Sequence, residues 1–461
     1  MLATPHAALA IGLVFLLAPS GWLLRLVSPG FTGFDLPPPW QTTQDPWGLG
    51  LILALCAKEI PFLLWIAASH LQREDLRRRW RNEYALALTL GHSPQVAFRH
   101  VVWPQLAPRL VWPALAVLAY GLTVVDMALV IGPNSPPTLA ALAWQWLQDA
   151  DPVTQQQGAA AGGLLGLLTL GAGALMLLRS SRPYIAPVLK PHSPGSTTRP
   201  WRTEAPAGVF VWLLRAVYTL TLSALAVGSF AGLWPFPALI PEEWTLGAWQ
   251  SVWESRATLG STLSLGLASA ALALVWSVAW FELVPRTWEA RLRPLLYLTL
   301  IMPSVLWVIG MHALSLHARL DGTWLGVLWA HFLMTLPYVL LALGPSYLGF
   351  DARYAQLSAS LGRGRWPFLW RIKWPLLKRA LVSAFAVGFA VSVAQYLPTL
   401  YVGAGQFRTV TTESVALAAG AQRSLTSAYA WLQWALPLVV FGLAAWLGKP
   451  REFSATKRTH T

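Results

Sequence analysis

The chain has 461 residues, 55% of them hydrophobic and 11% charged, with a mean hydropathy of +0.50. Soluble domains carry about a quarter charged residues, so this composition excludes a soluble fold and points to an all-α polytopic membrane protein. A net charge of +14 would suggest nucleic acid in a soluble chain, but its placement along this one assigns it to membrane topology.

Windows long enough to cross a hydrocarbon core, about 20 residues each, fall at 7–27, 47–68, 109–131, 159–178, 209–234, 257–282, 295–316, 324–347, 380–402 and 429–447. Peptide groups in hydrocarbon must be satisfied within the segment, so these ten windows predict helices. The N-terminus MLATPHAALA lacks a positive leader region, and the first window reads as a retained span. Lysine and arginine set the orientation. With 69–109, 179–208, 283–294, 350–380 and the tail after 448 on the cytoplasmic side, 26 of the 33 basic residues lie inside and four outside. Arg25, Lys58 and Arg215 fall in spans. Positive charge stays inside, which makes both termini cytoplasmic and needs no nucleic acid. Residues 181–207, rich in proline and serine, read as a cytoplasmic linker. It separates a first half (1–180, four helices) from a second (208–448, six helices), and 449–461 form a cytoplasmic tail. The single cysteine, Cys56, allows no disulfide within one chain.

One polar stretch occurs twice. Ala85–Pro104 reads ALALTLGHSPQVAFRHVVWP and Gln356–Pro375 reads QLSASLGRGRWPFLWRIKWP. At a constant offset of 271 they share Leu86/Leu357, Leu90/Leu361, Gly91/Gly362, Trp103/Trp374 and Pro104/Pro375. In each, glycine and proline are thirteen positions apart. Each copy opens with a helix-compatible run, turns at a glycine that reaches positive φ cheaply, and places proline where a first helical turn tolerates it. Val96, Phe98 and Val101 in one copy, and Phe368, Leu369 and Ile372 in the other, are the apolar side chains expected at the surface. A single copy reads equally as an amphipathic helix resting on anionic lipid; two copies at fixed spacing favour a protein partner. The repeat extends upstream: Ala18-Pro19-Ser20 resembles Met302-Pro303-Ser304, and Gly50 and Pro61 share a spacing of eleven with Gly326 and Pro337. The spans at 209–234 and 257–282 have no first-half counterpart.

The two stretches, within 83–104 and 354–375, resemble the EAA loops of ABC-importer permeases, which run Glu-Ala-Ala, three residues, Gly, then Pro thirteen positions later. In that family the segment after the glycine is a coupling helix seated in a cleft of the cytoplasmic ATPase. The resemblance carries this role onto Gly91, His92, Phe98, Arg99 and Pro104, and onto Gly362, Arg363, Phe368, Arg371 and Pro375. The sequence departs from the pattern at Ala85 and Gln356, where glutamate is expected, and Glu83 lies two residues early. The whole chain resembles the fused two-half, type I permeases of the ferric-iron and thiamine branch, in stretches such as KEIPFLL (58–64), QYLPTLYVGAG (395–405) and TVTTESVALAAG (409–420). That implies a transport subunit of the bacterial inner membrane that is not itself an enzyme and binds no cofactor. Its implied partners are a cytoplasmic ABC ATPase dimer, a periplasmic or lipid-anchored solute-binding protein and the lipid membrane. The chain has no phosphate loop; its nearest approach, Gly442 to Gly448-Lys449, has five intervening residues and ends on Pro450, which lacks the hydroxyl that holds magnesium.

Ionisable residues in spans face cavities or partners. The candidates are Lys58, Glu59, Asp126, His312 and His331, with Gln395 beside Tyr396. Lys58 and Glu59 point about 100° apart on a helix, and a Lys58–Asp126 pair across the bundle is the expected register-fixing contact. The two histidines are read as hydrogen-bonded structural residues or as ligands. A rival reading is an ion- or proton-coupled secondary transporter with internal repeats; a membrane enzyme would require its polar residues to cluster.

Overall fold

The computed structural model describes residues 4–72, 74–180, 204–420 and 422–449, and every apolar window becomes helix. The predicted linker, up to residue 203, and the tail beyond 449 lie outside the described residues. The first half runs α1 (His6–Leu17), α2 (Trp22–Val27), α3 (Leu49–Gln72), α4 (Glu74–Thr89), α5 (Pro94–Ala97), a π-helical turn (Phe98–Val102), α6 (Trp103–Thr123), α7 (Asp126–Ile131), α8 (Leu139–Leu147) and α9 (Pro152–Ser180). The second half begins with α10 (Glu204–Ser229), α11 (Gly247–Glu254), α12 (Arg256–Leu283), α13 (Arg286–Ile301), α14 (Ser304–His317) and α15 (Trp324–Leu348). It continues with α16 (Arg353–Ser360), α17 (Arg365–Phe368), a second π turn (Leu369–Lys373), α18 (Trp374–Leu376), α19 (Lys378–Val393), α20 (Leu397–Val402), α21 (Val410–Ala418) and α22 (Arg423–Leu447).

Among the described residues, eight helical runs are long and apolar enough to span a membrane, and a ninth, Arg365–Val393, is bent by 74°. The expected tenth, 295–316, is divided at Met302–Pro303, because Pro303 caps the 14-residue α14 instead of continuing α13. Three further windows are interrupted where single spans are expected. The first breaks at Ala18–Gly21, the third at Val124–Val125 and the ninth at Ala394–Tyr396, so Asp126 opens α7 and Gln395 sits in a break. The segments 132–158 and 404–428, expected as outward loops, carry the nine-residue α8 and α21, whose Trp144 and Val410 are 2% and 0% exposed. Such helices are too short to register as spans yet apolar enough to bury. Thr138 and Thr409 mark their starts, each accepting a backbone N–H at 3.3 Å (Ala141, Thr412), as capping threonines do.

The offset of 271 governs the backbone well beyond the repeated loops. It maps α5 onto α17, π turn onto π turn, α7 onto α20 and α8 onto α21 at both ends of each, and the first residue of α9 onto that of α22. Packing follows the same exchange: α1 lies against α7, α21 and α22, and α14 against α20, α8 and α9. Proline caps both α1 (Pro5) and α14 (Pro303), so Pro5, and not Pro19, is the counterpart of Pro303. Helices α10, α12 and α13 have no counterpart among the described residues of the first half.

Two contacts fix the assembly. In the second half α12, α15 and α19 pack mutually around Gly388, where an added Cβ would stand 2.9 Å from Val339 Cγ2 and 3.3 Å from the Ala270 Cα. Small residues permit this approach between apolar helices. At the end of α3 remote from α4, the buried Arg25 of the first half clasps the second. Its guanidinium donates to the carbonyls of Pro235 (2.7 Å), Ala238 (2.6 Å) and Trp234 (3.1 Å), and its Nε to Ser20 (2.9 Å). It also lies 4.8 Å from the Trp234 ring centroid. Gly388→Val should part α19 from its neighbours, cost about 1–3 kcal/mol, and lower the midpoint of thermal unfolding in detergent.

Candidate functional site

Gly91 and Gly362 adopt φ of +84° and +72°. At the first, His92 N–H donates to Ala87 O at 3.2 Å and Gly91 N–H to Leu88 O at 3.0 Å. At the second, Arg363 N–H donates to Ser358 O at 3.0 Å and Gly362 N–H to Ala359 O at 2.9 Å. The four bonds form two equivalent glycine-terminated helix ends, related by the same offset. The turn then leads into α5 or α17, and the π turn re-aims the chain. The copies diverge after that point. The first runs unbroken from Pro94 through Pro104 into its span, whereas the second bends by 74° between Leu376 and Lys378.

Arg99, Arg363 and Arg371 are exposed, as are Phe98 and Pro375, while His92 is buried and Pro104 and Phe368 are half-buried. The expected apolar set is therefore corrected. Val96, Val101 and Ile372 are half-buried and Leu369 is buried, and Phe368 packs on Phe350 with ring centroids 6.2 Å apart. Of the expected set Phe98 is the exposed member, and the apolar surface is formed by Leu86, Leu90, Phe98 and Trp103 in the first copy and by Leu357, Leu361, Trp366 and Trp370 in the second, Trp366 and Trp370 being 67% and 64% exposed. Helical turning over a short π segment decides which side chains face outward, and the sequence pattern alone does not reveal the π turn.

Each loop is braced by one glutamate, from a different element. In the first, Glu83 Oε2 accepts from Gln105 Nε2 at 2.6 Å and Oε1 from Arg79 Nε at 2.8 Å, while Trp80 Nε1 donates to Gln105 Oε1 at 2.9 Å. Glu83 thus ties α4 to the start of α6. In the second, Glu282 at the end of α12 accepts from Lys373 Nζ at 2.5 Å, from Arg365 at 3.1 Å and from the Tyr347 hydroxyl at 2.7 Å. Tyr347 in turn accepts from Trp374 Nε1 at 3.0 Å. Glu282, Tyr347 and Gln105 were not among the sequence candidates, since their loop contacts join residues distant in the chain or on adjoining elements.

The intramembrane candidates do not form one cluster. Glu59 and Asp126 join one network: Glu59 Oε1 lies 3.0 Å from His6 Nε2, the His6 ring packs on Tyr120 at 4.4 Å, and the Tyr120 hydroxyl donates to Asp126 at 3.5 Å. Tyr120 and Tyr396 pack against one buried apolar cluster to which both halves contribute. The expected Lys58–Asp126 pair is not formed; Lys58 is buried and its Nζ donates to the Thr4 carbonyl at 2.5 Å. Adjacent helical positions diverge, and α1, which supplies His6 and follows Thr4, lies beside α3. His331 is fully buried between the Ser392 and Thr399 hydroxyls at 2.7 and 2.8 Å. Because Thr399 donates to the Gln395 carbonyl, it accepts from His331 Nε2–H, leaving Nδ1 to accept from Ser392. His331 is a satisfied core residue. His312 stands apart, 3.2 Å from Asp321 and with its ring tilted by 55° against that of Tyr401, 4.4 Å between centroids.

Two outcomes follow from these contacts. The Arg79 hydrogen bond, followed by that of Gln105, holds the Glu83 carboxyl below the ordinary carboxylate range against an opposing effect of burial. A depressed carboxylate contributes stability above its unfolded pKa and loses it as pH falls through the folded one, so the brace is intact at neutral pH and opens on acidification below the carboxylate range. At neutral pH, Glu83→Ala should raise trypsin cleavage in Arg77–Arg81 about fivefold, the equivalent of one lost hydrogen bond of about 1 kcal/mol. His331→Leu should cost about 1–3 kcal/mol by orphaning buried hydroxyls, read as a fall in thermal stability.

No family model matches the chain. It is similar to the inner membrane ABC transporter permease protein YnjC of Escherichia coli (strain K12), 35% identical over 461 residues, covering 98% of the chain and 81% of the relative. It is also similar to the thiamine transport system permease protein ThiP of Brucella abortus (strain 2308), 26% identical over 324 residues, with 68% of the chain and 56% of the relative covered. The ThiP protein of Salmonella typhimurium is 28% identical over 183 residues, 34% of each chain. Similarity along nearly the whole chain, together with eight helices among the described residues that are long and apolar enough to cross a membrane, shows that this is a multi-pass protein belonging to the inner-membrane ABC transporter permeases.

Proposed function

We propose that the chain is the path-forming permease of an ATP-driven importer, coupled through its two repeated loops to a separate cytoplasmic ABC ATPase dimer. The observation that carries this reading is the backbone identity of the loops: left-handed glycine, capped helix end, short helix and π turn recur at one offset. A two-fold motor requires two equivalent handles, and each handle here presents apolar side chains among exposed arginines. A periplasmic or lipid-anchored solute-binding protein would deliver solute on the opposite face, and both termini would lie in the cytoplasm. ATP binding would draw the handles together, and the halves would rock as bodies between two packings.

The test is retention of the ATPase on the tagged permease in detergent. Proline cannot adopt positive φ, so the double variant Gly91→Pro/Gly362→Pro should lose the ATPase while keeping its place in the membrane. Trp370→Ala alone should weaken retention about tenfold or more, as truncation of an interfacial tryptophan does. Full retention by both variants would overturn the docking assignment.

A further inference from the structure

We propose that Glu282 is a positioning residue that makes the second docking loop a rigid handle on α12, so that the motor's pull enters the two halves unequally. The proposal rests on the docking reading above and adds the route by which force leaves one loop.

Glu282 lies at the last turn of α12, 83 and 91 residues before the two loop residues it holds, Arg365 and Lys373. Its side chain and that of Lys373 are each 14% exposed, and they meet at 2.5 Å. Arg365 adds a bond from the first residue of α17 to the same carboxylate at 3.1 Å and another to the Glu282 carbonyl. Lys373 also sits 4.1 Å from the Tyr347 ring centroid, on α15. Both ends of the docking segment, Arg365 and Lys373, are thereby tied to α12, and α12 packs with α15 and α19 as one block. A half-buried carboxylate that satisfies two cations and a phenol resists separation, since moving any one partner leaves charge unpaired in a poorly solvated place.

The glutamate that braces the first loop acts differently. Glu83 joins α4 to α6, the two arms of its own hairpin, and no counterpart of α12 exists among the described residues of that half. Displacing the second loop moves the block of α12, α15 and α19. Displacing the first moves α6 and its hairpin, with α3, α9 and α13 packed against α6.

The experiment uses the full permease–ATPase complex in membrane vesicles, in a Cys56→Ser background because Cys56 is exposed. Maleimide labelling rates are measured at Ser360→Cys, an exposed loop position outside the docking set, and, separately, at Leu283→Cys beside the tie, with and without Mg-ATP. In the parent background both rates should respond to ATP. Adding Glu282→Gln should leave the response at position 360 and reduce that at position 283 about tenfold, within the range by which coupling residues act. The double variant Glu282→Gln/Lys373→Met removes the two buried charges, leaves only the more exposed Arg365 without its carboxylate, and should behave the same. A response at position 283 that survives in both variants would overturn the proposal. No ATP response at position 360 in the parent background would instead show that the docking reading itself has failed, and the proposal with it.

Discussion

Wherever this chain leaves helical geometry in apolar surroundings, the freed peptide groups must find partners within the protein. That requirement explains why the interruptions are few, matched between halves, and supplied with partners. At the α19–α20 break the Thr411 hydroxyl donates to the Val393 carbonyl and Thr399 to that of Gln395, and at the α6–α7 break Ser304 donates to the Thr123 carbonyl. At the loops, glycine alone makes the turn inexpensive, and the bonds to Ala87, Leu88, Ser358 and Ala359 satisfy the last carbonyls. The repeat survives as geometry even where side chains have diverged, because backbone satisfaction constrains geometry more tightly than residue identity.

Charge in the interior obeys a related rule. Glu59, Asp126, Lys58 and His331 are each close to a named partner, yet the partners are carbonyls, hydroxyls and a histidine more often than opposite charges. Desolvating two ions is costly, and a carbonyl already inside the protein is a cheaper acceptor for Lys58 than a distant carboxylate. The network from His6 through Glu59 and Tyr120 to Asp126 links α1, α3, α6 and α7 of the first half and ends at the α6–α7 break.

Against this symmetric frame the two halves differ in packing. The second has α12, α15 and α19 in mutual contact and a loop fastened to α12 through Glu282, while α1 of the first lies across α10 and α22. This ABC transporter permease thus combines equivalent loop backbones with differently packed halves behind them.

The amino-acid sequence by itself determined class and repeat. Hydropathy marked the helices long enough to span a membrane, and the glycine–proline spacing located both loops, because burial and φ act locally on residue type. Tertiary structure alone decided the rest. The breaks after Thr123 and Val393 fall inside apolar runs that no local signal divides, and the buried α8 and α21 are too short for a hydropathy window. The partners of Lys58, Glu59 and Lys373 come from helices distant in sequence, and a side chain's partner is set by which helices meet, which a residue's own neighbours in the chain do not encode.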